Sequence, residues 1–259
     1  MRYLQELAQS SHLILSFARR DLRAKYKQTF FGVAWAVLQP TALMVVFTLV
    51  FSVFAKIESE GAPYPVFAYS ALIFWTFFAA CLSQGTSAMT ANASLVRKIW
   101  FPRETLLLAV IISATLDLCV ASLVLAGLYV YYGVPLHATV VWVPVLLLLQ
   151  ITFTLAVILV TSAVQVRFRD IGHAMPLLVQ LWMFASPVAY PLESVPERLR
   201  TIYLLNPMAG LIDSYRRVLL HGTLPDFGYL AVAASVSLVL VCLAYLLFKR
   251  AERTFADVI

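Results

Sequence analysis

Charged side chains are scarce in this sequence. Asp, Glu, Lys and Arg together make up 12% of its 259 residues, about half the share of a typical globular protein, while apolar residues make up 62%. A soluble domain of this length cannot bury so much apolar surface, because a large part of any folded chain stays exposed to solvent. The sequence therefore predicts a membrane protein and gives no sign of a separate aqueous domain.

Motifs for nucleotide binding and catalysis are missing as well. None of the nine glycines precedes a lysine, so there is no P-loop, and there is no HExxH, paired-cysteine or Ser-His-Asp pattern. The three cysteines, Cys81, Cys119 and Cys242, lie inside apolar runs, where a thiol behaves as a small hydrophobic group. These absences predict that the chain is not an enzyme and holds no cofactor or metal of its own.

Six long apolar segments dominate the sequence instead. A helix needs roughly 20 apolar residues to cross ~30 Å of hydrocarbon, and an open sheet would leave backbone groups unpaired in lipid. The predicted spans are residues 32–55, 61–96, 106–132, 140–166, 171–190 and 227–248. The second is too long for one perpendicular crossing, so we expect its polar end, from Ser83 to Asn92, to emerge from the lipid.

Basic residues are unevenly divided between the two sides that six spans define. Fourteen of the nineteen Lys and Arg residues fall in the N-terminal segment, the 92–105 loop, the 167–169 turn and the C-terminus, and five fall on the opposite side. The positive-inside rule then predicts that both termini are cytoplasmic. Because these residues flank apolar runs, the net charge of +6 does not indicate a nucleic-acid partner.

Two segments do not fit a simple pattern of spans and loops. Residues 1–30 predict an amphipathic helix at the cytoplasmic interface, ahead of a transmembrane domain over residues 31–259. The apolar positions of that helix are Leu4, Leu7, Ile14, Ala18 and Leu22. Residues 191–225 contain an apolar piece, 201–212, that is too short to cross and is interrupted by Asn206-Pro207. A re-entrant segment at a pathway mouth and an ordinary external loop both fit this pattern.

The cytoplasmic loop 92–105 mixes bulky apolar residues with cations. Exposed aromatic side chains beside arginine are typical of docking surfaces, but an interfacial aromatic anchor with positive-inside charges also fits. The candidate docking residues are Arg97, Lys98, Trp100, Phe101, Arg103 and Glu104. In the next cytoplasmic turn, Arg167, Arg169 and Asp170 are candidate gate residues, although topology alone explains the two arginines there.

Asp117 is the one carboxylate within a predicted span, near the middle of the membrane. An ionised carboxylate at that depth costs several kcal/mol unless it faces the protein interior or a wet path. We expect a structural acid satisfied by hydroxyl or amide partners from another helix. A proton relay is the alternative, but it requires a chain of titratable groups that the sequence does not provide.

Aromatic residues are abundant near the span ends and within the spans. Tyr and Trp at span ends usually form an interfacial belt. Sugars, however, present apolar C–H faces that stack on aromatic rings, so the same residues could line a glycan path. The candidate path residues are Trp75, Tyr129, Trp182, Tyr190 and Asn206.

Five segments, in this order, resemble one family. They are residues 20–32 with Trp35 and Gln39-Pro40, residues 95–103, residues 167–171, residues 186–190, and Asn206-Pro207 with Arg217. Together they resemble the permease subunit of the ATP-binding-cassette exporters that move lipid-linked polysaccharides such as O-antigen, capsule or teichoic acid. The resemblance covers essentially the whole chain, and it rests on the five segments in register rather than on any one of them.

The resemblance implies a homodimer of six-span subunits in the bacterial inner membrane, joined to two separate ATPase subunits that bind ATP and Mg²⁺. It also implies that the N-terminal helix and residues 94–105 form the docking surface, and that residues 191–225 form re-entrant helices at the periplasmic exit. The polyprenyl tail of the glycan would stay in lipid. O-antigen is the expected substrate. The alternatives are a capsular polysaccharide, a teichoic acid, a smaller lipid or drug, and a membrane enzyme acting on polyprenyl-linked substrates.

Overall fold

The protein is helical throughout the residues that the computed structural model describes, which are 11–27, 29–57 and 59–258. The helices are α1 (Ser11–Tyr26), α2 (Gly32–Phe54), α3 (Tyr64–Ala91), α4 (Ala93–Lys98), α5 (Glu104–Tyr132), α6 (Val143–Arg167), α7 (Asp170–Phe184), α8 (Glu197–Tyr203), α9 (Pro207–Arg216), α10 (Phe227–Glu252) and α11 (Phe255–Val258). A 3-10 turn, Ala138–Trp142, leads into α6, another, Leu192–Ser194, precedes α8, and a π-helical turn, Arg217–His221, follows α9. The prediction of an all-α membrane protein is confirmed.

Five helices within the described residues are long and apolar enough to cross a membrane: α2, α3, α5, α6 with its preceding turn, and α10. Their bounds match five of the six predicted spans to within a few residues. The largest difference is in the second span, where α3 ends at Ala91 and not at residue 96. The chain turns at Asn92 there and starts the short helix α4.

The remaining predicted span, residues 171–190, is helical over only part of its length. Helix α7 has 15 residues and is therefore about 22 Å long. Residues 186–189 continue it as a buried turn, where the Tyr64 hydroxyl donates to Ala189 O at 2.7 Å and the Arg216 guanidinium donates to Val188 O at 2.7 Å. Irregular backbone inside a membrane protein requires such partners. The segment thus reaches the end of the bundle where α3 begins, as a helix plus a supported turn.

Helix α3 is the centre of the bundle. It is buried along most of its length and packs against α2, α5, α6, α7 and α9. Proline in its first turn fits the fixed φ of a helix start, where no backbone N–H is needed. Gly85 permits the close approach of α6, because a Cβ at this position would lie 2.9 Å from Cγ2 of Ile158.

Helices α8 and α9 are joined by a short turn, residues 204–206, and we call this pair the hairpin. Asn206 caps α9, since its side-chain oxygen accepts a hydrogen bond from Met208 N at 3.2 Å. All ten residues of α9 are buried. The Tyr215 ring stacks on Phe74 of α3 with centroids 3.5 Å apart, and its hydroxyl donates to Gln150 Oε1 at 2.9 Å. Helix α9 is therefore part of the core, whereas no residue of α8 is buried.

Both ends of the described chain lie beside the 92–105 loop. The Phe17 ring of α1 lies 5.9 Å from that of Phe101, and Lys249 near the end of α10 forms a 2.5 Å ion pair with Glu104. Helix α1 packs along α5 and so does more than rest on lipid as an interface helix. The first ten residues of the predicted N-terminal helix lie outside the described residues.

Candidate functional site

Helix α4 and the residues that follow it form an arm between α3 and α5, at residues 93–103. After Lys98 the chain becomes extended at Ile99, with φ −130° and ψ 135°. The arm ends where Thr105 Oγ1 donates to Pro102 O at 2.7 Å, which closes the first turn of α5. Two cations in the last turn of α4 complement the negative end of its dipole.

The candidate docking residues divide into an outward set and an anchoring set. Arg97, Lys98 and Trp100 are exposed, and Trp100 exposes 81% of its surface. Ile99 between them is 59% exposed. A large aromatic side chain beside two cations is typical of a surface that a partner covers. We call residues 97–100 the docking face.

Phe101 and Arg103 anchor the arm to the rest of the subunit. Phe101 is buried against Phe17 of α1. The Arg103 guanidinium donates to the backbone carbonyl of Glu252, and its carbon lies 5.5 Å from the centroid of the Phe255 ring. These contacts tie the arm to α1 on one side and to the C-terminal helices on the other.

Glu104 completes the anchoring set. It is 4% exposed and pairs with Lys249 at 2.5 Å, and Lys249 also pairs with Glu252 at 2.7 Å. Sequence reasoning missed Lys249 and Glu252, because charges at the end of an apolar helix are expected there from topology alone. Nothing in the sequence pairs them with a loop about 150 residues earlier.

Asp117 connects α5 to the end of α1. Its carboxylate lies 2.5 Å from the Lys25 ammonium and accepts a hydrogen bond from the Tyr26 hydroxyl at 2.6 Å. Asp117 lies about 20 Å along α5 from its first residue. Because α5 is about 44 Å long and the hydrocarbon layer is ~30 Å thick, part of α5 must extend outside that layer. A lysine stem can therefore reach it from the interface. The hydroxyl partner matches the predicted type, and the ammonium partner was not foreseen.

The gate candidates lie in the turn between α6 and α7. Arg167, Arg169 and Asp170 are exposed, and within the described residues Asp170 forms no ion pair with either arginine. Gln165 shapes this turn, because its side-chain oxygen accepts a hydrogen bond from Gly172 N at 2.5 Å. A Cβ at Gly172 would lie 2.7 Å from Gln165 Nε2, so the Gln165 amide would have to move to admit a side chain there.

Three of the five path candidates meet near the tip of the α8–α9 hairpin. Trp182 Nε1 donates to Asn206 Oδ1 at 3.1 Å, and the Tyr190 hydroxyl lies 2.9 Å from that of Tyr203. Trp182, Tyr203 and Asn206 border a cavity of about 490 Å³, whose other walls come from apolar residues of α6, α10 and the hairpin and from Ala185. We call this the hairpin cavity.

The other two path candidates lie in the core of the subunit. Trp75 is 3% exposed and packs 5.4 Å from Phe78, between ring centroids. Tyr129 is 7% exposed, and its hydroxyl donates to Leu219 O at 2.7 Å. Neither borders the hairpin cavity.

Arg216 is a residue that sequence reasoning treated only as an external charge. It is 2% exposed and lies 3.6 Å from the centroid of the Phe67 ring. Its guanidinium donates to Val188 O at 2.7 Å and to Tyr190 O at 3.0 Å. Arginine suits this position because its planar fork can serve two carbonyls at once. It holds the turn after α7 against the end of α9.

An acidic pair, Glu60 and Glu193, lies near Arg216 at the end of the bundle opposite the arm. The carboxylate of Glu60 lies 2.8 Å from Nε2 of His221, and this hydrogen bond lowers the pKa of Glu60. Burial raises the pKa of Glu193, which shares a hydrogen bond with Glu60. The two pKa values are therefore shifted in opposite directions, and the two shifts make stability depend on pH with opposite sign.

Comparison with known proteins decides the family. A family model described as "ABC-2 type transporter" matches residues 12–220, a range that includes α1, the docking face and the hairpin. The chain belongs to the ABC-2 type transporter family. The resemblance inferred from the five sequence segments is thereby confirmed. An ABC-2 type permease is the membrane part of a transporter, in agreement with the apolar helices described above.

This ABC-2 type permease matches curated relatives over nearly its whole length. The O-antigen export system permease protein RfbA of Myxococcus xanthus is 34% identical over 260 residues, which cover 99% of each chain. RfbA of Klebsiella pneumoniae is 25% identical over 248 residues, or 95% of each chain. The polysialic acid transport protein KpsM of Escherichia coli is 22% identical over 239 residues, covering 90% of this chain and 91% of KpsM.

Proposed function

We propose that this ABC-2 type permease is the transmembrane subunit of an ATP-driven exporter that moves lipid-linked O-antigen across the bacterial inner membrane. The observation that carries this proposal is the 34% identity with an O-antigen export permease over 99% of the chain. The identity with a polysialic acid transport protein is lower, at 22%. O-antigen is therefore favoured over a capsular polysaccharide.

The docking face is the proposed contact with a separate ATPase subunit, which would supply ATP, Mg²⁺ and hydrolysis. Fourteen of nineteen basic residues support a cytoplasmic position for this end of the bundle and for both termini. Trp100 would fill a cleft on the partner, flanked by Arg97 and Lys98, because buried aromatic anchors beside arginine dominate such interfaces. Phe101, Arg103 and Glu104 would pass movement of the arm to α1, α5 and α10.

Two copies of the chain would form the pathway, and α7 supports this arrangement. Within an apolar helix it exposes two polar side chains, His173 and Gln180. It also exposes Leu177 by 60% and Leu181 by 57%. Polar side chains facing lipid are costly, so this surface is better placed against a second subunit or a wet path.

The hairpin cavity is the proposed external part of the glycan path. The rings of Trp182 and Tyr203 would take the apolar faces of sugars, and Asn206 would bond their hydroxyl groups. Arg167, Arg169 and Asp170 would border the opposite, cytoplasmic mouth. In this scheme ATP hydrolysis on the partner changes the spacing of the two α7 helices, while the polyprenyl tail stays in lipid.

Deletion of the gene in its own host tests the substrate. Surface O-antigen should disappear while capsule persists, and lipid-linked glycan should accumulate on the cytoplasmic side. Wild-type chain should restore O-antigen, and a Trp100→Ala chain present at equal level should not. Loss of capsule with O-antigen intact would reassign the substrate and contradict the proposal.

A further inference from the structure

A second cavity, of about 450 Å³, lies at the cytoplasmic end between α6 and α10. The wall from α6 is a stripe at helical spacing that includes Val160, Val164 and Arg167. Val160 and Val164 are each 37% exposed, so this stripe faces outward from the subunit. We call this the lateral cavity.

The wall from α10 repeats the same pattern. Leu247, Arg250 and Ala251 lie at positions i, i+3 and i+4, and Leu247 is 53% exposed. On both helices the apolar residues are followed within one turn by an arginine nearer the cytoplasm. The lateral cavity therefore has an apolar part toward the membrane core and a cationic rim at the interface.

The two rim arginines differ from other cations at this end of the bundle. Arg103 and Lys249 are bound to Glu252 and Glu104. Across residues 11–27, 29–57 and 59–258, by contrast, the structure gives neither rim arginine an ion pair or a hydrogen bond from its guanidinium. None of the residues that line the cavity is acidic. The cavity thus presents two guanidinium groups and no compensating charge.

We propose that the lateral cavity binds an anionic phospholipid of the cytoplasmic leaflet. Arg167 and Arg250 hold the headgroup phosphate, because guanidinium forms paired, charge-assisted hydrogen bonds with phosphate oxygens. The apolar stripes take the first part of an acyl chain. Basic pockets between membrane helices on the cytoplasmic side bind lipid headgroups in this way. A volume of about 450 Å³ suits a headgroup and the start of a chain.

The bound lipid would link two elements that are otherwise separate at this end. Arg167 begins the turn into α7, and Arg250 adjoins Lys249, which pairs with Glu104 directly after the arm. A phosphate between the two arginines would join the gate turn to the arm's anchor. This inference rests on the cytoplasmic orientation in the proposed function, but not on the identity of the transported glycan.

Native mass spectrometry of the purified permease, without any ATPase subunit, tests the proposal. After delipidation, the protein is titrated with phosphatidylglycerol or with phosphatidylcholine. Wild type should bind phosphatidylglycerol more tightly, and Arg167→Gln/Arg250→Gln should weaken that binding by about 20-fold, at roughly fivefold per arginine. Equal binding of both lipids, or an unchanged double variant, would overturn the proposal.

Matched variants separate the site from general surface charge. Arg169→Gln changes the same charge two residues away, outside the cavity lining, and should leave phosphatidylglycerol binding within about twofold of wild type. Ala163→Trp fills the apolar wall without changing charge and should weaken binding if the cavity is the site. A third titration uses a polyprenyl diphosphate. Binding of that lipid alone would assign the cavity to the transported substrate and overturn the phospholipid proposal.

Discussion

The ammonium of Lys25 lies 2.5 Å from the carboxylate of Asp117, and this ion pair fixes the end of α1 to α5. Earlier in α1, Phe17 packs on Phe101 of the arm. Helix α1 therefore bridges the arm and a point about 20 Å along α5. A movement imposed on the arm would reach α5 through α1 as well as through the chain itself.

The first prediction concerns this ion pair. Asp117→Leu leaves the Lys25 ammonium and the Tyr26 hydroxyl without their acceptor, so the free energy of unfolding should fall by about 2 kcal/mol. Lys25→Met alone should cost a similar amount, because it leaves the carboxylate without its ammonium. The double variant should cost less than the sum of the two, since no charge remains unpaired. The free energy of unfolding of wild type, both single variants and the double variant is measured in detergent. If the two single losses simply add in the double variant, the Lys25–Asp117 ion pair is contradicted.

The second prediction separates two adjacent aromatic residues of the arm. Phe101→Ala removes a buried ring and should lower the free energy of unfolding of the isolated permease by about 3 kcal/mol. Trp100→Ala removes an exposed ring and should change it by less than about 0.5 kcal/mol. Thermal unfolding of both variants gives the comparison. Equal destabilisation would mean that Trp100 packs within its own subunit.

The third prediction concerns Arg216. Arg216→Met leaves the carbonyls of Val188 and Tyr190 without their donor, and should cost at least about 3 kcal/mol or prevent folding. Arg216→Lys should not restore stability, because an ammonium lacks the planar fork. Arg217→Gln is the matched control. It breaks an ion pair whose arginine is 32% exposed and whose carboxylate, Asp213, is buried, so it should cost about 1 to 2 kcal/mol, less than Arg216→Met. The yield of folded protein should be low for Arg216→Met and Arg216→Lys and close to that of wild type for Arg217→Gln.

The fourth prediction concerns the pair of carboxyls Glu60 and Glu193. Because the hydrogen bond with His221 lowers the pKa of Glu60, the ionised form stabilises the fold. That contribution is present above the ordinary Glu pKa of 4.5 and is lost as the pH falls through the lowered pKa. The raised pKa of Glu193 acts with the opposite sign, since its contribution is lost as the pH rises. Glu60→Gln should therefore reduce the loss of stability on acidification.

Melting temperatures of wild type and Glu60→Gln are measured from about pH 6 to pH 3. Their slopes against pH are then compared, and the slope should be smaller for Glu60→Gln. Arg216 and Asp213 also act on this carboxyl pair and are unchanged in the variant. His221→Gln, which keeps a hydrogen-bond donor but no titrating ring, is the second variant. Parallel curves for wild type and Glu60→Gln would show that the Glu60–His221 bond has no linked effect.

The sequence predicted the spanning helices well because length and hydropathy are local properties. It did not predict where α7 ends, because the turn after α7 depends on Tyr64 and Arg216 from distant segments. The apolar piece before α10 was recognised as too short to cross. The burial of α9, whose Tyr215 stacks on Phe74, is a tertiary contact that no periodicity reveals.

The candidate site shows the same division between local and tertiary information. Residue types identified the arm as a mixture of cations and aromatic rings. They could not show which of Trp100 and Phe101 is buried, because the two are adjacent and similarly apolar. Phe101 is the buried one, because Phe17 covers it. The Lys25 partner of Asp117 lies 92 residues earlier in the chain and had no signal beyond its charge.

Binding of the partner ATPase subunit to wild type and to Trp100→Ala tests the account most directly. Tyr131→Ala is the matched control, because Tyr131 is also 81% exposed but lies at the end of α5 far from the arm. Wild type and Tyr131→Ala should co-purify with the ATPase subunit and support equal ATP hydrolysis. Trp100→Ala should fold normally but bind at least about tenfold more weakly. Unchanged binding and hydrolysis with Trp100→Ala would contradict the docking role of residues 97–100.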